Sequence, residues 1–447
     1  MAQKPSTKKK KVPYSNKPES LSVDEWQMAL RQQFAETQKF KIKNLGDHPV
    51  FSDFEVYNPI SNKHYKVAIR NKDAGLNYCS CPDFKVNELG TCKHVEFVLQ
   101  KLQKNTRLRK YWKEGIVRSY SSMSLKYGKE RQVFLRIGSN HTDKIQEIAS
   151  AYFNPEGFLK PEAIFFIEGF FEQVKNLDPH FKVYPDAMDF IIDQRDQEKR
   201  QTKISALLPD GADSQYFDDL ISAKLYPYQK EGIIFAAKTG RAVLADDMGL
   251  GKTIQAIASA ELLAKEFGIS QVLVICPTSL KYQWKSEIER FTDRSIMMIE
   301  GGLDKRKQQY QSDDFYKIAS YGVALNDLDY LNQMAPDLVI LDEAQRIKNW
   351  KTKTAQNLKK LKSDFAFILT GTPLENRLEE LHSLIEFVDP YKLGALFRFL
   401  DQHQIKDEVG KVVGYQNLNS ISQTLSDVLI RRTRTETLEQ LPERTSK

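Results

Sequence analysis

Two clusters of residues in this sequence have the types and spacing that chemistry requires. The first is DMGLGKT, residues 247–253. Gly249 and Gly251 allow backbone N–H groups to turn inward around phosphate oxygens, because no Cβ stands in the way. Lys252 adds a positive charge for phosphates, and the Thr253 hydroxyl can bind Mg²⁺. The run therefore predicts a phosphate-binding loop for a nucleotide.

The spacing of this loop departs from the usual G-x-x-x-x-G-K-[ST], because Asp246 stands where the first glycine is expected. A glycine-rich turn with a surface lysine would give a similar short match. A second signature, LDEAQ at 341–345, weakens that alternative. Its Asp342 can hold hydrated Mg²⁺ and its Glu343 can orient an attacking water. The plainer explanation of these two carboxylates alone is an acidic first turn of a helix.

The second cluster is CSCPDFKVNELGTCKH, residues 79–94. Its Cys79, Cys81, Cys92 and His94 make the closed tetrahedral donor set of a structural Zn²⁺ site. The alternative is three buried free cysteines and a hydrogen-bonded histidine. Three of the four cysteines of the chain fall within this one run, which favours the metal.

The elements that must position the first cluster follow from apolar periodicity. From about residue 216, short apolar runs alternate with helical stretches, which predicts an α/β region with a parallel sheet flanked by helices. Polar signatures follow directly after four of these runs, so we expect them at one edge of the sheet. The runs are RAVLAD at 241–246, QVLVICP at 271–277, FYKIASY at 315–321, DLVILDE at 337–343 and FAFILTG at 365–371.

The preceding sequence is predicted to form smaller parts. Residues 1–20 hold six lysines and one glutamate without hydrophobic periodicity, and are expected to be a disordered basic tail. Residues 21–118 are predicted as a small α+β zinc-finger domain that opens with a helix capped by Ser22. Residues 119–215 form an α+β accessory region of unknown role, and 216–447 the nucleotide-binding region.

Charge and composition limit the class of protein. The net charge of +7 comes largely from the basic tail, so it favours a polyanionic partner only weakly. The segment 100–118, with Tyr111 and Trp112 among lysines and arginines, suits phosphate contacts and stacking, or equally a solvated helix face. No apolar run predicts a membrane span or a secretory signal, and four cysteines predict no disulfide scaffold. An intracellular protein is therefore expected.

The motifs together resemble the first RecA-like lobe of the Swi2/Snf2-type helicase-like ATPases of superfamily 2. They are DDMGLGKT, PTSLKYQW at 277–284, DEAQ and TGTPLENRLEELHSL, and the resemblance covers about 216–447. The phosphate loop of this family reads D-x-M-G-L-G-K-T, which accommodates Asp246. The resemblance implies a DNA-dependent ATP hydrolase that tracks along double-stranded DNA, with ATP and Mg²⁺ as cofactors.

The resemblance also implies roles for individual residues, and RRTRTETLEQLP at 431–442 resembles the segment that leads out of the lobe. Lys252, Asp342 and Glu343 would be catalytic, with Mg²⁺ held by Thr253 and Asp342. The implied ATP-binding set is Gln229 (the adenine-reading residue), Asp247, Met248, Gly249, Leu250, Gly251, Lys252 and Thr253. The implied set for following DNA and coupling it to the nucleotide is Thr278, Lys281, Trp284, Ser320, Tyr321, Thr370, Gly371 and Thr372.

The Cys/His run is similar to the SWIM-type zinc finger, a module associated with DNA or protein binding. This similarity implies Zn²⁺ on Cys79, Cys81, Cys92 and His94, and a protein partner beside DNA. A zinc finger of this type before an Snf2-like motor is bacterial in style, so we expect a cytoplasmic, nucleoid-associated location.

The family carries a second lobe, which is expected to begin where this sequence ends at Lys447. We therefore expect residues 1–447 to bind ATP weakly and to hydrolyse it slowly or not at all unless that lobe is supplied. The alternative function is a nucleotide-gated DNA- or protein-binding module without turnover of its own. An RNA-directed helicase of the same superfamily is disfavoured by GLGKT together with TGTPLENR.

Overall fold

The computed structural model describes residues 11–71, 76–116, 118–128, 130–344, 356, 358–371, 377–407 and 410–437. The chain packs as two compact units. Unit 1 comprises Met1–Arg195 and Gly394–Gly414, and unit 2 comprises Asp196–Leu393 and Tyr415–Lys447. Within the described ranges, no helix is long and apolar enough to cross a membrane. The four-part division made from the sequence stays a prediction.

The helices and strands are numbered here in chain order. The described strands are β1 Lys41–Asn44, β2 Asp53–Asn58, β3 Lys63–Ala68, β4 Tyr78–Cys79, β5 Ser122–Lys126, β6 Gln132–Arg136, β7 Lys182–Val183, β8 Arg241–Leu244, β9 Val272–Cys276, β10 Ile296–Met298, β11 Tyr316–Ser320, β12 Leu338–Asp342, β13 Phe365–Leu369, β14 Gln404–Lys406, β15 Val412–Tyr415 and β16 Leu429–Ile430. The described helices are α1 Val23–Glu36, α2 Pro82–Val86, α3 Lys93–Lys104, α4 Arg109–Glu114, α5 Thr142–Tyr152, α6 Ile167–Leu177, α7 Pro185–Leu207, α8 Pro227–Thr239, α9 Lys252–Phe267, α10 Lys281–Phe291, α11 Leu303–Tyr310, α12 Tyr321–Asn326, α13 Leu328–Met334, α14 Leu378–Val388, α15 Leu396–His403 and α16 Leu418–Leu425.

Unit 2 is built on a parallel sheet. Its strands lie in the order β10–β11–β9–β12–β13–β8–β16, and each described pairing is parallel. The central strands β9 and β12 are buried at every residue, as expected for a sheet covered on both faces. The predicted α/β class is therefore confirmed, and each of the five apolar runs contains a strand of this sheet.

The carboxyl edge of this sheet brings the sequence signatures together. β8 runs into the phosphate loop, which we define as residues 245–251 between β8 and α9. The end of β12 carries Asp342, and Leu369 at the end of β13 is followed by Thr370 and Gly371. In the register, Asp342 lies opposite Leu369, and Leu369 lies opposite Leu244 of β8. Three polar strand ends therefore lie side by side.

Unit 1 contains a four-stranded sheet, a three-stranded sheet and its own core, and β14 pairs with β15 in a further two-stranded sheet. Strands β1–β2–β3–β4 pair antiparallel, while β5 pairs antiparallel with β6 and parallel with β7. Helix α1 begins with a capping box, in which Ser22 Oγ accepts from Glu25 N at 3.2 Å and Glu25 Oε2 accepts from Ser22 N at 2.8 Å. The predicted helix start at Ser22 is therefore confirmed.

A segment from late in the chain belongs to unit 1. Residues 394–414, which include α15, pack with residues that lie hundreds of positions earlier. Arg398 Nε and Nη2 donate to the carboxylate of Asp24, each at 2.7 Å, and Arg398 Nη1 also donates to Glu88. Phe399 of the same helix is buried. Unit 1 is therefore discontinuous in sequence, which the sequence patterns did not predict.

Candidate functional site

The phosphate loop holds its shape through two left-handed glycines and its lysine. Gly249 and Gly251 have φ of 85° and 71°, a region that residues with a Cβ rarely adopt. Lys252 Nζ donates to the carbonyl oxygens of Asp246 at 2.7 Å and Asp247 at 3.2 Å. Burial lowers the pKa of Lys252, and nearby carboxylates, led by Asp246, act in the opposite direction. The Lys252 ammonium group thus lies against the backbone of the loop, at the position predicted for a phosphate.

A cleft of about 510 Å³ opens beside the loop. Its volume falls in the range of about 300–1,000 Å³ that is usual for small-molecule sites. Lys252, Thr253, Asp342 and Glu343 all line it, as do Met248, Gly249 and Gly251. The residues predicted to hold phosphate, Mg²⁺ and the attacking water are therefore brought to one cavity.

Asp342 is fixed at this cavity by two hydrogen bonds. Trp284 Nε1 donates to Asp342 Oδ2 and the backbone N–H of Glu343 donates to Asp342 Oδ1, both at 2.8 Å. Burial raises the pKa of Asp342, and the bond from Trp284 opposes this shift. Glu343 itself has φ of 49°, the left-handed region, so the chain turns sharply where β12 ends. Asp342 and Glu343 therefore lie at a strained turn after β12, where hydrogen bonds hold the Asp342 carboxylate in place.

Asp246, the residue that breaks the usual loop spacing, is fully buried and ion-paired. Its Oδ2 lies 2.6 Å from Arg432 Nη2, and its Oδ1 accepts from Arg432 Nε at 3.0 Å. Gln255 Nε2 donates to the same carboxylate at 3.0 Å, and Arg432 Nη1 also donates to the carbonyl oxygen of Tyr228. Asp246 therefore anchors the loop to α8, to α9 and to the segment after β16.

The segment after β16 continues along the loop. The N–H of Asp247 donates to the carbonyl oxygen of Arg432 at 3.0 Å, and the N–H of Arg434 donates to Asp247 Oδ2 at 3.1 Å. A Cβ on Gly249 would lie 2.5 Å from Arg434 Nη2. The sequence analysis gave neither arginine a role. A buried aspartate at the end of an apolar strand was the available signal, since it requires a cation.

Gln229, predicted to read adenine, is buried and bonded to the loop. Its Oε1 accepts from the N–H of Tyr226 at 3.0 Å, and its Nε2 donates to the carbonyl oxygen of Leu250 at 3.4 Å. A Cβ on Gly251 would lie 2.5 Å from Gln229 Nε2. The structure therefore ties Gln229 to the phosphate loop, and its contact with the base stays a prediction.

The motif at 370–372, which is predicted to couple the nucleotide state to DNA, begins close to Lys252. Thr370 is buried, and its N–H donates to the carbonyl oxygen of Leu244 at 3.2 Å. A Cβ on Gly371 would lie 3.0 Å from Met248 Cγ and 3.9 Å from Lys252 Nζ. Thr372 lies outside the described residues. Two of the three coupling residues are thus in place beside the phosphate loop.

The motif PTSLKYQW supplies α10 and the turn before it. Thr278 is exposed, which leaves its hydroxyl open to a ligand. Lys281 is buried, and its Nζ donates to Glu300 Oε1 at 2.6 Å. Trp284 is buried, with its indole N–H on Asp342. Thr278 is the exposed member of these three, and the DNA role of all three stays a prediction.

Ser320 and Tyr321 stand at the end of β11. Ser320 Oγ accepts from the N–H of Val323 at 3.3 Å and so caps α12. The Tyr321 hydroxyl donates to the carbonyl oxygen of Asp342 at 2.8 Å, and the ring is buried. These contacts support the corner that carries Asp342. A contact of either residue with DNA stays a prediction.

The Cys/His set of unit 1 converges on one point. The ligand atoms of Cys79, Cys81, Cys92 and His94 lie within 4.8 Å of one another, and all four residues are buried. Cys79 Sγ lies 3.7 Å from His94 Nδ1. Tetrahedral Zn²⁺ with bonds of about 2.0–2.3 Å would separate its ligands by about 3.5–3.8 Å. The residues therefore fit a closed zinc site.

The surroundings of the cluster hold it in place. The ring of His94 stacks on Tyr65 with centroids 4.2 Å apart, and Phe40 packs on it at 5.1 Å. Hydrogen bonds from Cys79 and then Cys92 lower the pKa of Cys81, which favours a thiolate. Cys276 lies in β9 of unit 2, where burial raises its pKa to about 12. It is one of the buried residues of the unit 2 core.

The basic segment 100–118 is only partly available as a surface. Trp112 packs on the unit 1 core and stacks on Phe51, with centroids 5.8 Å apart. Tyr111 is exposed and packs edge-on against His48. Trp112 therefore packs in the core, while Tyr111 is exposed, and both interpretations of the segment stay open.

Family models match both the nucleotide-binding region and the region of the Cys/His cluster. The model of the SNF2-related domain matches residues 190–447, and the model of the SWIM zinc finger matches residues 65–103. The chain is 37% identical over 245 residues to the human DNA annealing helicase and endonuclease ZRANB3, which covers 51% of this chain and 22% of the relative. It is 38% identical over 224 residues to the putative ATP-dependent helicase/translocase YwqA of Bacillus subtilis, covering 47% and 24%.

A solved structure is also similar. The Sulfolobus solfataricus SWI2/SNF2 ATPase core in complex with dsDNA is 32% identical, with a TM-score of 0.44 over 50% of this chain and 47% of that one. The chain spans less than a quarter of the length of the two curated relatives. The SNF2-related match alone covers more than half of the chain and contains the phosphate loop, Asp342 and Glu343. The chain therefore belongs to the SNF2-related family.

Proposed function

We propose that the chain binds Mg·ATP in the cleft of unit 2 and couples its hydrolysis to movement along duplex DNA. The observation that carries this proposal is the convergence of Lys252, Thr253, Asp342 and Glu343 on one cavity at the carboxyl edge of a parallel sheet. Ligands of open α/β sheets bind at this edge. The names of the two curated relatives, a DNA annealing helicase and an ATP-dependent helicase/translocase, support DNA and ATP as ligands.

Each residue would have a distinct part in the chemistry. Lys252 would leave the carbonyl oxygens of Asp246 and Asp247 and move to the β- and γ-phosphates. Thr253 and Asp342 would hold Mg²⁺, which stabilises the charge that develops on the phosphate oxygens. Glu343 would orient the water that attacks the γ-phosphorus, and the β–γ bridging oxygen would leave with ADP.

Coupling to DNA would start from the contacts around the same cavity. Gly371 lies against Met248 and Lys252, so a phosphate that draws Lys252 away changes the neighbourhood of the 370–372 motif. The segment after β16 is hydrogen-bonded to Asp247, which lies two positions before Gly249 of the loop. These contacts support the proposal that nucleotide state reaches residues outside the cleft.

The lysine tests the nucleotide site. We expect Lys252→Ala to abolish Mg·ATP binding by residues 1–447, measured by calorimetry, because the charge that faces the phosphates is lost. Lys224→Ala removes an exposed lysine of the same unit that does not line the cleft, and should bind as the parent does. Unchanged affinity in Lys252→Ala would contradict the proposed loop.

DNA dependence separates the motor from the alternative. Duplex DNA should raise the rate of ATP hydrolysis by a chain extended past Lys447, while residues 1–447 alone should hydrolyse ATP slowly or not at all. A nucleotide-gated binding module would instead change its DNA affinity with Mg·ATP and show no DNA-stimulated turnover in either chain.

We further propose that Cys79, Cys81, Cys92 and His94 hold one structural zinc ion, which the burial and spacing of the four ligand atoms support. Metal analysis should find about one zinc per chain. Cys81→Ser should lose it, while Cys276→Ser, which alters a buried cysteine of unit 2, should keep it. Full zinc occupancy in Cys81→Ser would exclude this ligand set.

A cytoplasmic, nucleoid-associated location belongs to the same proposal, because a zinc finger of this type before an Snf2-like motor is bacterial in style.

A further inference from the structure

Unit 1 contains a second cavity that is separate from the Cys/His cluster. Its volume is about 340 Å³, within the range of about 300–1,000 Å³ typical of ligand sites. Three of the residues that line it are arginines, namely Arg70, Arg118 and Arg136, and Ser122 and Ser124 of β5 also line it. Nothing in the proposed nucleotide chemistry uses these residues.

Arg70 is the most buried of the three arginines, with 7% of its surface exposed. Its Nε and Nη1 are buried and have no hydrogen-bond partner within the described part of the chain. The rings of Tyr184 and Tyr78 lie 3.9 and 5.6 Å from its guanidinium carbon. An arginine cannot lose its proton in a protein, and a buried charge without acceptors is costly. Arg70 thus brings to the lining of the cavity a buried positive charge that an anion there would offset.

Within the described ranges, the other two arginines have acceptors for only some of their N–H donors. Arg118 Nη1 donates to the hydroxyls of Tyr120 at 3.3 Å and Tyr184 at 3.2 Å, and Arg136 Nη2 donates to the carbonyl oxygen of Ile116 at 3.3 Å. Each guanidinium has five N–H donors, so these acceptors use only part of them. Burial, and then the charge of Arg118, lowers the pKa of Arg136. Two like charges are therefore held near each other beside the same cavity.

Carboxylates offset this charge only in part. Glu114 lines the cavity and is exposed. Asp186 interacts electrostatically with Arg70, but its carboxylate accepts from the Tyr127 hydroxyl at 3.1 Å. Among the described residues, no ion pair joins a carboxylate to any of the three arginines. Among the lining residues that the structure describes, three guanidinium groups stand against one carboxylate, which favours a ligand with more than one negative charge and several acceptor oxygens.

We propose that the cavity lined by Arg70, Arg118 and Arg136 binds a phosphate group. Phosphate offers oxygens in several directions, which three converging guanidinium groups can contact at once. The phosphate could belong to a nucleic-acid backbone or to a small phosphate compound, and both sources present the same chemistry to the cavity. The site is independent of the nucleotide cleft of unit 2.

Inorganic phosphate tests the site directly. In residues 1–447 at constant ionic strength, replacing chloride by phosphate should raise the unfolding temperature of unit 1, because a ligand stabilises the state that binds it. Arg70→Met and Arg118→Met should each remove this rise. Arg109→Met, which changes an exposed arginine outside the cavity, should retain it. Two variants are used so that a folding defect in one does not decide the result.

Duplex DNA then separates the two sources. If the phosphate belongs to DNA, Arg70→Met and Arg118→Met should weaken DNA binding at least about tenfold and lower the salt slope by about 0.9. Lys144→Met, which changes an exposed lysine of unit 1 outside both the cavity and the segment 100–118, should leave both unchanged. Unchanged DNA affinity together with a lost phosphate effect assigns the site to a small phosphate compound. An equal phosphate effect in the parent and in both cavity variants would overturn the site, because general salt effects do not depend on these arginines.

Discussion

At the scale of single residues, Asp246 has a structural role that a glycine at the same position of the usual loop pattern could not have, because its side chain forms a buried ion pair. Its carboxylate is fully buried and receives donors from Arg432 and Gln255. A buried pair of this kind is costly to break from one side, because the remaining charge is left without its partner. Asp246 thus fixes the position from which Lys252 and the loop glycines act.

We expect Asp246→Asn to lower the free energy of unfolding of unit 2 by about 3–5 kcal/mol, because Arg432 keeps its charge and loses its buried counterion. Denaturant unfolding followed by a probe of unit 2 measures this loss. Asp247→Asn is the matched control, since Asp247 is only partly buried and accepts one backbone N–H from Arg434. Equal losses of unfolding free energy in the two variants would show that the buried ion pair stabilises unit 2 no more than the Asp247 hydrogen bond does.

The residue scale also shows where the sequence was informative. Lys252, Asp342 and Glu343 could be placed at one site because each follows an apolar strand, and parallel strands end at one edge. The bond from Trp284 to Asp342 could not be placed, since 58 positions separate the two residues and neither leaves a local pattern. Arg432 lies 186 positions from Asp246, and its pairing was equally invisible.

At the scale of elements, the turn from β8 into α9 depends on glycine for two separate reasons. Gly251 has φ of 71°, and a Cβ there would lie 2.5 Å from Gln229 Nε2. Gly268, at the other end of α9, also has φ of 71°, but a Cβ there would meet nothing within 4 Å. The two positions therefore share a backbone cost and differ in the space around them.

We expect Gly268→Ala to cost about 1–2 kcal/mol of stability from its backbone alone, with Mg·ATP binding retained. Gly251→Ala should cost more and should also lose Mg·ATP binding, because Gln229 and the loop must shift. Thermal unfolding and calorimetric titration of both variants make the comparison. Nucleotide affinity that is equal in the two would contradict a close fit between Gln229 and the loop.

Elements could be predicted from sequence where they are long and periodic. The apolar runs predicted β8, β9, β11, β12 and β13, and Ser22 marked the start of α1. Strands β10 and β16 have three and two residues, too few to show a period, and were not predicted. The packing of α15 in unit 1 was also not predicted, because it depends on contacts with residues 374 positions away.

At the scale of the whole molecule, the described residues form two separate hydrophobic cores. One contains buried residues between Ala35 and Ile191, and the other contains buried residues between Ile204 and Leu369. The Cys/His cluster belongs to the first core, and the strands that frame the nucleotide cleft belong to the second. Each core therefore has its own proposed ligand, through which its stability could be changed separately.

We expect calorimetry to resolve two unfolding transitions. A zinc chelator should lower only the transition of unit 1, and a non-hydrolysable ATP analogue with Mg²⁺ should raise only that of unit 2. At a ligand concentration of a hundred times Kd the rise should be about 5–10 °C. A single transition that responds to both reagents would mean that the two cores unfold together.

The discontinuity of unit 1 has a consequence for how such a protein can be divided or recombined. A gene fragment that stops at residue 195 omits residues 394–414, and with them Arg398, the partner of Asp24 and Glu88. The complementary fragment keeps the buried Phe399 without the partners it has in unit 1. A chimaera that takes unit 1 from a relative must therefore include two separate stretches of coding sequence. Because the second stretch lies between the two parts of unit 2, the two units cannot be exchanged as simple consecutive segments.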